Sequence, residues 1–447
     1  MLAAMPPPPP ASAAPRDEPV VRDRGDACPG ALRLHAADDG FLARVRIPGG
    51  LLDGRAALVL AEAAHRLGDG HLDLTSRGNV QLRGLGASCG GELAELLAAA
   101  GLLPAPAHER VRNVVASPLT GLDGRGLPDV APWVPELDGL LCADPAAAAL
   151  SGRFLFALDD GRGDVASLAA DVNLTARDPG RAVVWTAGSR DGVLVAAPDA
   201  PRAALVAAAY FLDAAREAGT RAWRVSELPP EHALSCAMLT VRLAAEGIAA
   251  EPVSVPVPVP VSVPVPARQD GAPAAPEPGL VSGPDGTAAL SVLAPLGRLT
   301  VDQWRRLAGL TGRLRLTPWR GIVVPGLPAD RAGLALAGLA DAGLITAADD
   351  PRRSVTACTG RPGCAKSLAD VRADAAAVVH ASRGPLPVHW SGCERRCGHP
   401  RGTAWVDALA TADGYRLSVH GEPLPYRPDL AAALTAARNT SEDAVKR

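Results

Sequence analysis

Four cysteines in the last quarter of the chain have a spacing that could bind a metal cluster. The chain has 447 residues and eight cysteines, and four of these form the pattern C-x5-C…C-x3-C: Cys358, Cys364, Cys393 and Cys397. Paired cysteines of structural zinc sites are usually separated by two to four residues, because a tight loop wraps one small ion. The wider five-residue loop fits a larger object, and four thiolates suit a [4Fe–4S] cluster. A zinc site and four buried thiols are the alternative interpretations.

Glycines and a predicted helix surround this motif. Three glycines would let the backbone pass close to the cluster and donate hydrogen bonds to it: Gly360, Gly363 and Gly392. The segment Ser367-Leu-Ala-Asp370 resembles a capping box and predicts a helix from there to about His380. Cys364 would then lie just before the positive end of the helix dipole, which favours an anionic cluster. The remaining cysteines are isolated and are predicted to be ordinary residues: Cys28, Cys89, Cys142 and Cys236.

A proline-rich segment divides the chain into two parts. Residues 251–280 include the run Val253–Pro266, in which proline recurs at alternate positions. Proline removes backbone donors and favours extended polyproline geometry, so we predict a semi-rigid linker, with an edge strand as the competing interpretation. Residues 1–25 are rich in proline, alanine and charge and are predicted to be disordered.

The two parts on either side of the linker look like distant copies. Residues 71–85 and 313–327 share Leu, Leu, Thr, Gly and Leu in register. Each segment reads as a hairpin and follows a predicted strand, at 41–48 or 288–295, and a predicted helix. This shared order predicts a duplication. The predicted domains are two half-domains, at 26–100 and 281–347, and two larger α/β domains, at 101–250 and 348–440.

Composition excludes several classes of protein. The balance of 45 basic against 48 acidic residues creates no field that favours nucleic acid. No apolar run is long enough to cross a membrane, and the N-terminus does not read as a secretory signal. We therefore expect a cytoplasmic protein, in which a cysteine cluster indicates metal rather than disulfides. Only Lys366 and Lys446 are lysines, so an arginine in place of a lysine carries no functional information here.

These motifs together resemble a known superfamily. The cysteine motif, preceded by Thr356-Ala357 and followed by Gly398-His399-Pro400, resembles the cluster motif of sulfite and assimilatory nitrite reductases. Residues 74–85 resemble their ferredoxin-like half-domain motif. The resemblance implies an α+β fold: duplicated ferredoxin-like half-domains of the nitrite/sulfite reductase type with flanking α/β cofactor-binding domains. Residues 28–35, the proline in the cluster loop and the compact length resemble the precorrin-3B synthase branch.

The resemblance also nominates residues that bind a tetrapyrrole. In the reductases, two arginines and a pair of lysines surround siroheme and a small anion, and Arg77 and Arg112 match the arginines. Arg153 can replace one lysine, but Leu155 cannot replace the other, which puts anion reduction in doubt. The predicted tetrapyrrole-binding residues are Arg77, Arg112, Arg83, Asn79, Gln81 and Arg153. Arg44 and Arg46 are further candidates, with a solvated strand face as the alternative, and Arg395 and Arg396 lie inside the cluster loop.

The activity that this branch implies is an oxygen-dependent monooxygenase of aerobic cobalamin biosynthesis. It would convert precorrin-3A to precorrin-3B by C20 hydroxylation with γ-lactone formation. The [4Fe–4S] cluster would relay NADH-derived electrons from a ferredoxin or an NADH-dependent reductase, with O2 as co-substrate. A mononuclear non-haem iron is a further expected cofactor, with His71, His389 and His399 as nominees and structural roles as the alternative. Bound siroheme would indicate the alternative function, a siroheme-dependent ferredoxin sulfite or nitrite reductase. A non-catalytic iron–sulfur or zinc protein is the third possibility.

Overall fold

A computed structural model of the chain describes residues 26, 28–255, 275–284, 286–400, 404–419 and 421–440. The predicted disordered segment 1–25 and most of the Val/Pro tract lie outside these ranges. Within them, no helix combines the length and the hydrophobicity that a membrane crossing requires.

The first half-domain contains the strand, helix and hairpin that the sequence predicts. Its elements are β1 (His35–Ala37), β2 (Gly40–Val45), β3 (Leu51–Asp53), α1 (Gly54–Leu67), β4 (His71–Leu74), β5 (Val80–Leu85) and α2 (Gly90–Ala99). The Asp53 side chain caps α1 by accepting a hydrogen bond from the Ala56 N–H. Helix α1 buries a face of small residues, among them Ala57, Leu60 and Ala64, against the sheet. Alanine permits close helix packing in a chain with few aromatic residues.

The first α/β domain is a six-stranded mixed sheet with three helices. Its elements are β6 (Val114–Ala116), α3 (Trp133–Ala143), β7 (Phe156–Asp159), β8 (Val172–Asp178), β9 (Arg181–Thr186), β10 (Asp191–Ala196), α4 (Ala200–Glu217), α5 (Cys236–Ala245) and β11 (Ala250–Ser254). The strand order is β11-β10-β9-β8-β7-β6, and β6, β7 and β8 are parallel. The linker begins later than predicted, because residues 251–254 belong to β11 and pair with β10 at the sheet edge. Pro252 is tolerated there because an edge strand has one unpaired side.

The second half-domain repeats the first in topology. Its elements are β12 (Gly279–Ser282), β13 (Thr287–Leu293), β14 (Arg298–Thr300), α6 (Val301–Thr311), β15 (Arg313–Leu316), β16 (Gly321–Pro328) and α7 (Ala329–Asp341). The start of β12 again shortens the predicted linker, at its far end. Helix α6 begins with a complete capping box formed by Thr300 and Gln303.

The two half-domains exchange a short strand, which the sequence did not predict. Strand β3 joins the second sheet beside β15, and β14 joins the first sheet beside β4. The resulting orders, β1-β2-β5-β4-β14 and β12-β13-β16-β15-β3, are equivalent. The indole of Trp304 on α6 donates a 2.7 Å hydrogen bond to the Ala57 carbonyl on α1. The half-domains therefore share one hydrophobic core.

The C-terminal α/β domain places the cysteine motif. Its elements are β17 (Val355–Ala357), α8 (Val371–Val378), β18 (Val388–Ser391), β19 (Val406–Thr411), β20 (Gly414–Val419), β21 (Glu422–Pro423) and α9 (Leu430–Arg438). Strands β17, β18 and β19 are parallel and the rest are antiparallel, which repeats the pattern of the first α/β domain. The predicted α+β fold class is confirmed.

Cleavage of the chain within residues 255–275 should leave both fragments associated. The exchanged strands β3 and β14 pair across the two parts, and the shared core buries apolar side chains from both. The measurement is size-exclusion chromatography after digestion at an inserted protease site, with the uncut protein as the control. Elution as two separate fragments would contradict the strand exchange.

Candidate functional site

The ends of two parallel strands bring the cysteine loops together. Cys358 directly follows β17, and Cys393 lies two residues after β18. Neighbouring parallel strands end at the same sheet edge, and the Cys358 N–H donates a 2.9 Å hydrogen bond to the Trp390 carbonyl. The Gly392 N–H donates to Cys358 Sγ at 3.2 Å, the type of backbone contact expected around a cluster sulfur.

Electrostatic interaction links all four thiols of the motif. Burial raises the pKa of Cys397, and repulsion from Cys358, Cys393 and Cys364 raises it further. Cys397 is exposed and the other three are half-buried. Four neighbouring cysteines are a donor set that suits an iron–sulfur cluster. Across the described ranges, no three Cys, His, Asp or Glu side chains form a group that could hold a metal ion. The four-cysteine ligand set therefore stays a prediction.

Contacts from the first half-domain hold the first cysteine loop in place. Arg83 forms two 2.8 Å hydrogen bonds with Asp39 and donates to the Gly363 carbonyl at 3.1 Å. The Ala365 N–H donates to Asp38 at 2.6 Å. Arg83 is buried and engaged in these contacts, through which it connects the cluster loop to the half-domain. Its role as a tetrapyrrole ligand stays a prediction.

The sequence predicted that a capping box starting at Ser367 opens the helix after the first cysteine loop, and this prediction is wrong. Helix α8 begins at Val371, and its cap is Asp370, whose side chain accepts from the Ala373 N–H. Ser367 is buried, and its hydroxyl donates to the Ala369 carbonyl at 2.7 Å. A Cβ on Gly392 would collide with that hydroxyl, at 2.0 Å from Ser367 Oγ. Ser367 thus packs the two cysteine loops together, and Cys364 lies six residues before the cap.

An open cavity of about 260 Å³ lies beside the cysteines, between the half-domains and the C-terminal domain. Its wall includes Cys358 and Cys397 together with three arginines: Arg44, Arg320 and Arg372. Arg372 forms a 3.1 Å ion pair with Asp73, which also lines the cavity. Gln81 lines it as well and accepts a 3.0 Å hydrogen bond from Arg44. The cavity therefore has a net positive wall next to the cysteines.

Two of the predicted tetrapyrrole ligands have buried protein partners. Arg112 forms a buried bidentate ion pair with Asp138, at 2.7 and 2.6 Å, and also donates to the Leu102 carbonyl. Asn79 is buried, and its side-chain oxygen accepts a 2.9 Å hydrogen bond from the Ile47 N–H. These contacts give Arg112 and Asn79 structural roles, and their role in tetrapyrrole binding stays a prediction.

Two more of the predicted tetrapyrrole ligands, Arg77 and Arg153, lie near Gly152. Arg77 donates to the Gly152 and Arg153 carbonyls at 3.0 and 2.8 Å, and burial followed by repulsion from Arg224 lowers its pKa to about 10. Arg153 lies 4.6 Å from the centre of the Trp223 ring, within range of a cation–π interaction. These two residues form a cationic surface outside the cavity described above.

Arg46 and Cys28 belong to the same region. Arg46 is 2% exposed, so the alternative of a solvated strand face is wrong for it. One of its terminal nitrogens lies 3.3 Å from Cys28 Sγ, and the other has no partner among the described residues. Cys28 also donates to the Gly152 carbonyl at 3.5 Å.

Two of the three nominated histidines lie close together, because His389 and His399 both pack against the Trp405 ring, at 5.7 and 5.6 Å between ring centres. His71 hydrogen-bonds to the Asp69 carbonyl in the turn before β4. His389 is fully buried on β18, 2.8 Å from the Thr356 hydroxyl, and burial followed by the charge of Arg320 lowers its pKa to about 4. His399 bonds to the Arg396 carbonyl and stacks on Trp405. No set of iron ligands emerges from them in the described residues.

Two further residues singled out in the sequence, Leu155 and Arg396, already have protein contacts. Leu155 is 4% exposed and packs in an apolar cluster with Val115, Ala157 and Trp319, so it offers no proton donor. Arg396 pairs with Asp407 at 2.5 Å and with Glu394 at 2.7 Å, which neutralises its charge.

Known proteins share this architecture. Residues 34–100 and 282–342 match the nitrite/sulfite reductase ferredoxin-like half domain. The chain is 28% identical over 411 residues to precorrin-3B synthase from a Sinorhizobium species, covering 89% of this chain and 83% of that protein. It is 28% identical over 403 residues to ferredoxin–nitrite reductase of Synechococcus elongatus, covering 81% and 74%. The structure of the NirA protein of Mycobacterium tuberculosis matches with a TM-score of 0.65 at 19% identity, over 89% of this chain and 79% of that one.

The likeness to the NirA protein concerns the fold alone, whereas the sequence matches extend over most of the chain. The relatives in these matches are oxidoreductases, as the sequence predicts for this chain. We conclude that the chain is an oxidoreductase with two ferredoxin-like half-domains of the nitrite/sulfite reductase type, similar over most of its length to precorrin-3B synthase.

Proposed function

We propose that this enzyme is an O2-dependent monooxygenase that converts precorrin-3A to precorrin-3B, with C20 hydroxylation and γ-lactone formation. The observation that carries the proposal is the match to precorrin-3B synthase, which extends over 83% of that protein. A match of that extent includes both half-domains and both α/β domains. The buried, apolar position of Leu155 supports the choice, because reduction of a small anion needs proton donors.

The proposed cluster ligands are Cys358, Cys364, Cys393 and Cys397. A [4Fe–4S] cluster bound there would supply single electrons, which side chains cannot deliver. The protein's own part is to position these loops, through Arg83 and Asp39 on one side and the Gly392 N–H on the other. The NADH-derived electrons would arrive through a ferredoxin or an NADH-dependent reductase.

The cavity beside Cys397 is the proposed substrate site. Precorrin-3A is a tetrapyrrole that carries many carboxylates, and an arginine fork binds carboxylates well. Arg44 and Gln81 on the cavity wall are proposed to contact the substrate. Arg77 and Arg153 keep a proposed role in the neighbouring cationic surface, where an outer carboxylate could reach them.

The second candidate is a siroheme-dependent ferredoxin nitrite or sulfite reductase. The observation that favours it is the match to ferredoxin–nitrite reductase at the same 28% identity. The arginines that line the cavity next to the cysteines would also complement siroheme, which is itself a carboxylate-rich tetrapyrrole. The two functions differ in whether the tetrapyrrole in this cavity is substrate or cofactor.

Purified enzyme given precorrin-3A, isotope-labelled O2, NADH and a reductase should form a hydroxylactone. Mass spectrometry should find one labelled oxygen atom in the product, because a monooxygenase transfers one atom of O2 and reduces the other to water. An anaerobic reaction is the control. Failure to form this product, together with steady consumption of nitrite or sulfite by siroheme-bound protein, would establish the second candidate.

A further inference from the structure

The turns of the two equivalent hairpins have the same backbone but different residues. In the first half-domain the Thr75 N–H donates to Asn79, and the Gly78 N–H donates back to Thr75. In the second, the Thr317 N–H donates to Gly321, and the Arg320 N–H donates back to Thr317. The backbone φ angle is 65° at Gly78 and 59° at Arg320. Arg320 thus occupies the position that is a glycine in the other copy.

This conformation is unfavourable for an arginine. Positive φ values bring the Cβ atom of an L-residue close to its own backbone, which glycine avoids. Non-glycine residues that keep such a conformation are concentrated at functional sites. The turn itself therefore does not require an arginine, and the reason for this residue should lie in its side chain.

The side chain of Arg320 runs along the cavity wall toward the cysteine motif. Its stem covers Gly297, where an added Cβ would lie 2.6 Å from Arg320 Cδ. Its terminal nitrogen lies 3.6 Å from the place where Gly398 would carry a Cβ, next to Cys397. Gly297 thus leaves the space that the arginine stem needs. Its guanidinium reaches the part of the cavity that adjoins the motif.

The three arginines of this wall differ in their protein partners. Arg372 is paired with Asp73, and Arg44 is hydrogen-bonded to Gln81. Across the described ranges, the Arg320 guanidinium has neither a hydrogen bond nor an ion pair, although the residue is half-buried. Burial and the charge of Arg372 lower the pKa of Arg320, and the charge of Asp73 raises it. An anion that enters the cavity would stabilise this partly buried cation, which has no hydrogen-bonded partner of its own.

We propose that Arg320 binds a carboxylate group of the tetrapyrrole in the cavity and so determines which tetrapyrroles the enzyme accepts. This inference rests on the proposed function, because it requires a carboxylate-rich tetrapyrrole in that cavity. The guanidinium fork matches a carboxylate in geometry as well as in charge.

The test is a binding titration with sirohydrochlorin, a metal-free tetrapyrrole that carries carboxylates, using anaerobically purified full-length protein with its cluster. Arg320→Gln should weaken binding about tenfold to a hundredfold, because one charge-assisted contact is lost. Arg320→Lys keeps the charge but not the fork, and its loss should be smaller. The matched control is Arg313→Gln, an exposed residue at the start of β15 in the same hairpin, which should bind like the unmodified protein.

Each outcome of this test has a distinct meaning. Equal binding by Arg320→Gln and the unmodified protein would overturn the role of Arg320 and leave the proposed function standing. No binding by the unmodified protein would instead contradict the proposed function. A shifted cluster midpoint potential with unchanged binding would assign Arg320 to charge compensation of the cluster. Loss of sulfite or nitrite binding alone would make it a small-anion site. If Arg320→Gln does not fold, unchanged binding by folded Arg320→Lys would overturn the proposal.

Discussion

Serine in place of any one motif cysteine should remove the iron–sulfur cluster and abolish activity. The four residues to change are Cys358, Cys364, Cys393 and Cys397. Serine keeps the size of the side chain but replaces the thiolate, which is the ligand that iron–sulfur clusters require. The measurements are iron and acid-labile sulfide content and the visible absorbance of anaerobically purified protein. Each variant should lose most of both elements.

Two other cysteines provide matched controls for these variants. Cys89 and Cys236 are half-buried, and each thiol donates a 3.1 Å hydrogen bond to a backbone carbonyl that a serine could also reach. Cys89→Ser and Cys236→Ser should keep full iron and sulfide content. Full cluster content in one of the four motif variants would show that its cysteine is not a ligand. Stoichiometric zinc in the unmodified protein would replace the cluster assignment altogether.

Loss of Arg112 should destabilise the protein and leave tetrapyrrole binding unchanged. Arg112→Met removes the bidentate partner of Asp138, whose carboxylate is 17% exposed and would remain without its cation. Breaking a buried ion pair on one side costs about 3–5 kcal/mol. The apparent free energy of unfolding, followed by circular dichroism in urea, should fall by about that amount. The sirohydrochlorin titration should not change.

The double variant Arg112→Met with Asp138→Leu separates the ion pair from other effects of the substitution. It leaves no unpaired charge, so it should recover much of the stability that the single variant loses. The opposite result, normal stability with binding weakened tenfold or more, would restore Arg112 to the tetrapyrrole site. It would also show that the Arg112–Asp138 pair opens when ligand binds.

The cysteine motif, the paired hairpins and the α+β class could be predicted from local patterns in the sequence. The spacing of Cys358, Cys364, Cys393 and Cys397 is a property of the chain itself. The hairpin at 71–85 forms from alternating apolar residues around a tight turn, so neighbours in sequence specify it. Its copy at 313–327 could be found because the two segments share residues at equivalent positions.

The strand exchange and the roles of the arginines depend on contacts between residues that are far apart in the sequence. Strands β3 and β14 are three residues long and carry no periodic signal, and their partners β15 and β4 lie more than 200 residues away in sequence. An arginine's role depends on which carboxylate lies within reach, and sequence spacing does not reveal that. Arg112 forms an ion pair with Asp138 and becomes part of the structure, whereas Arg320, in a turn that the first copy builds with glycine, forms no ion pair among the described residues and faces the cavity. Only the tertiary arrangement of charges distinguished these two arginines, because the free energy of a buried cation is determined by its partners rather than by its neighbours in the chain.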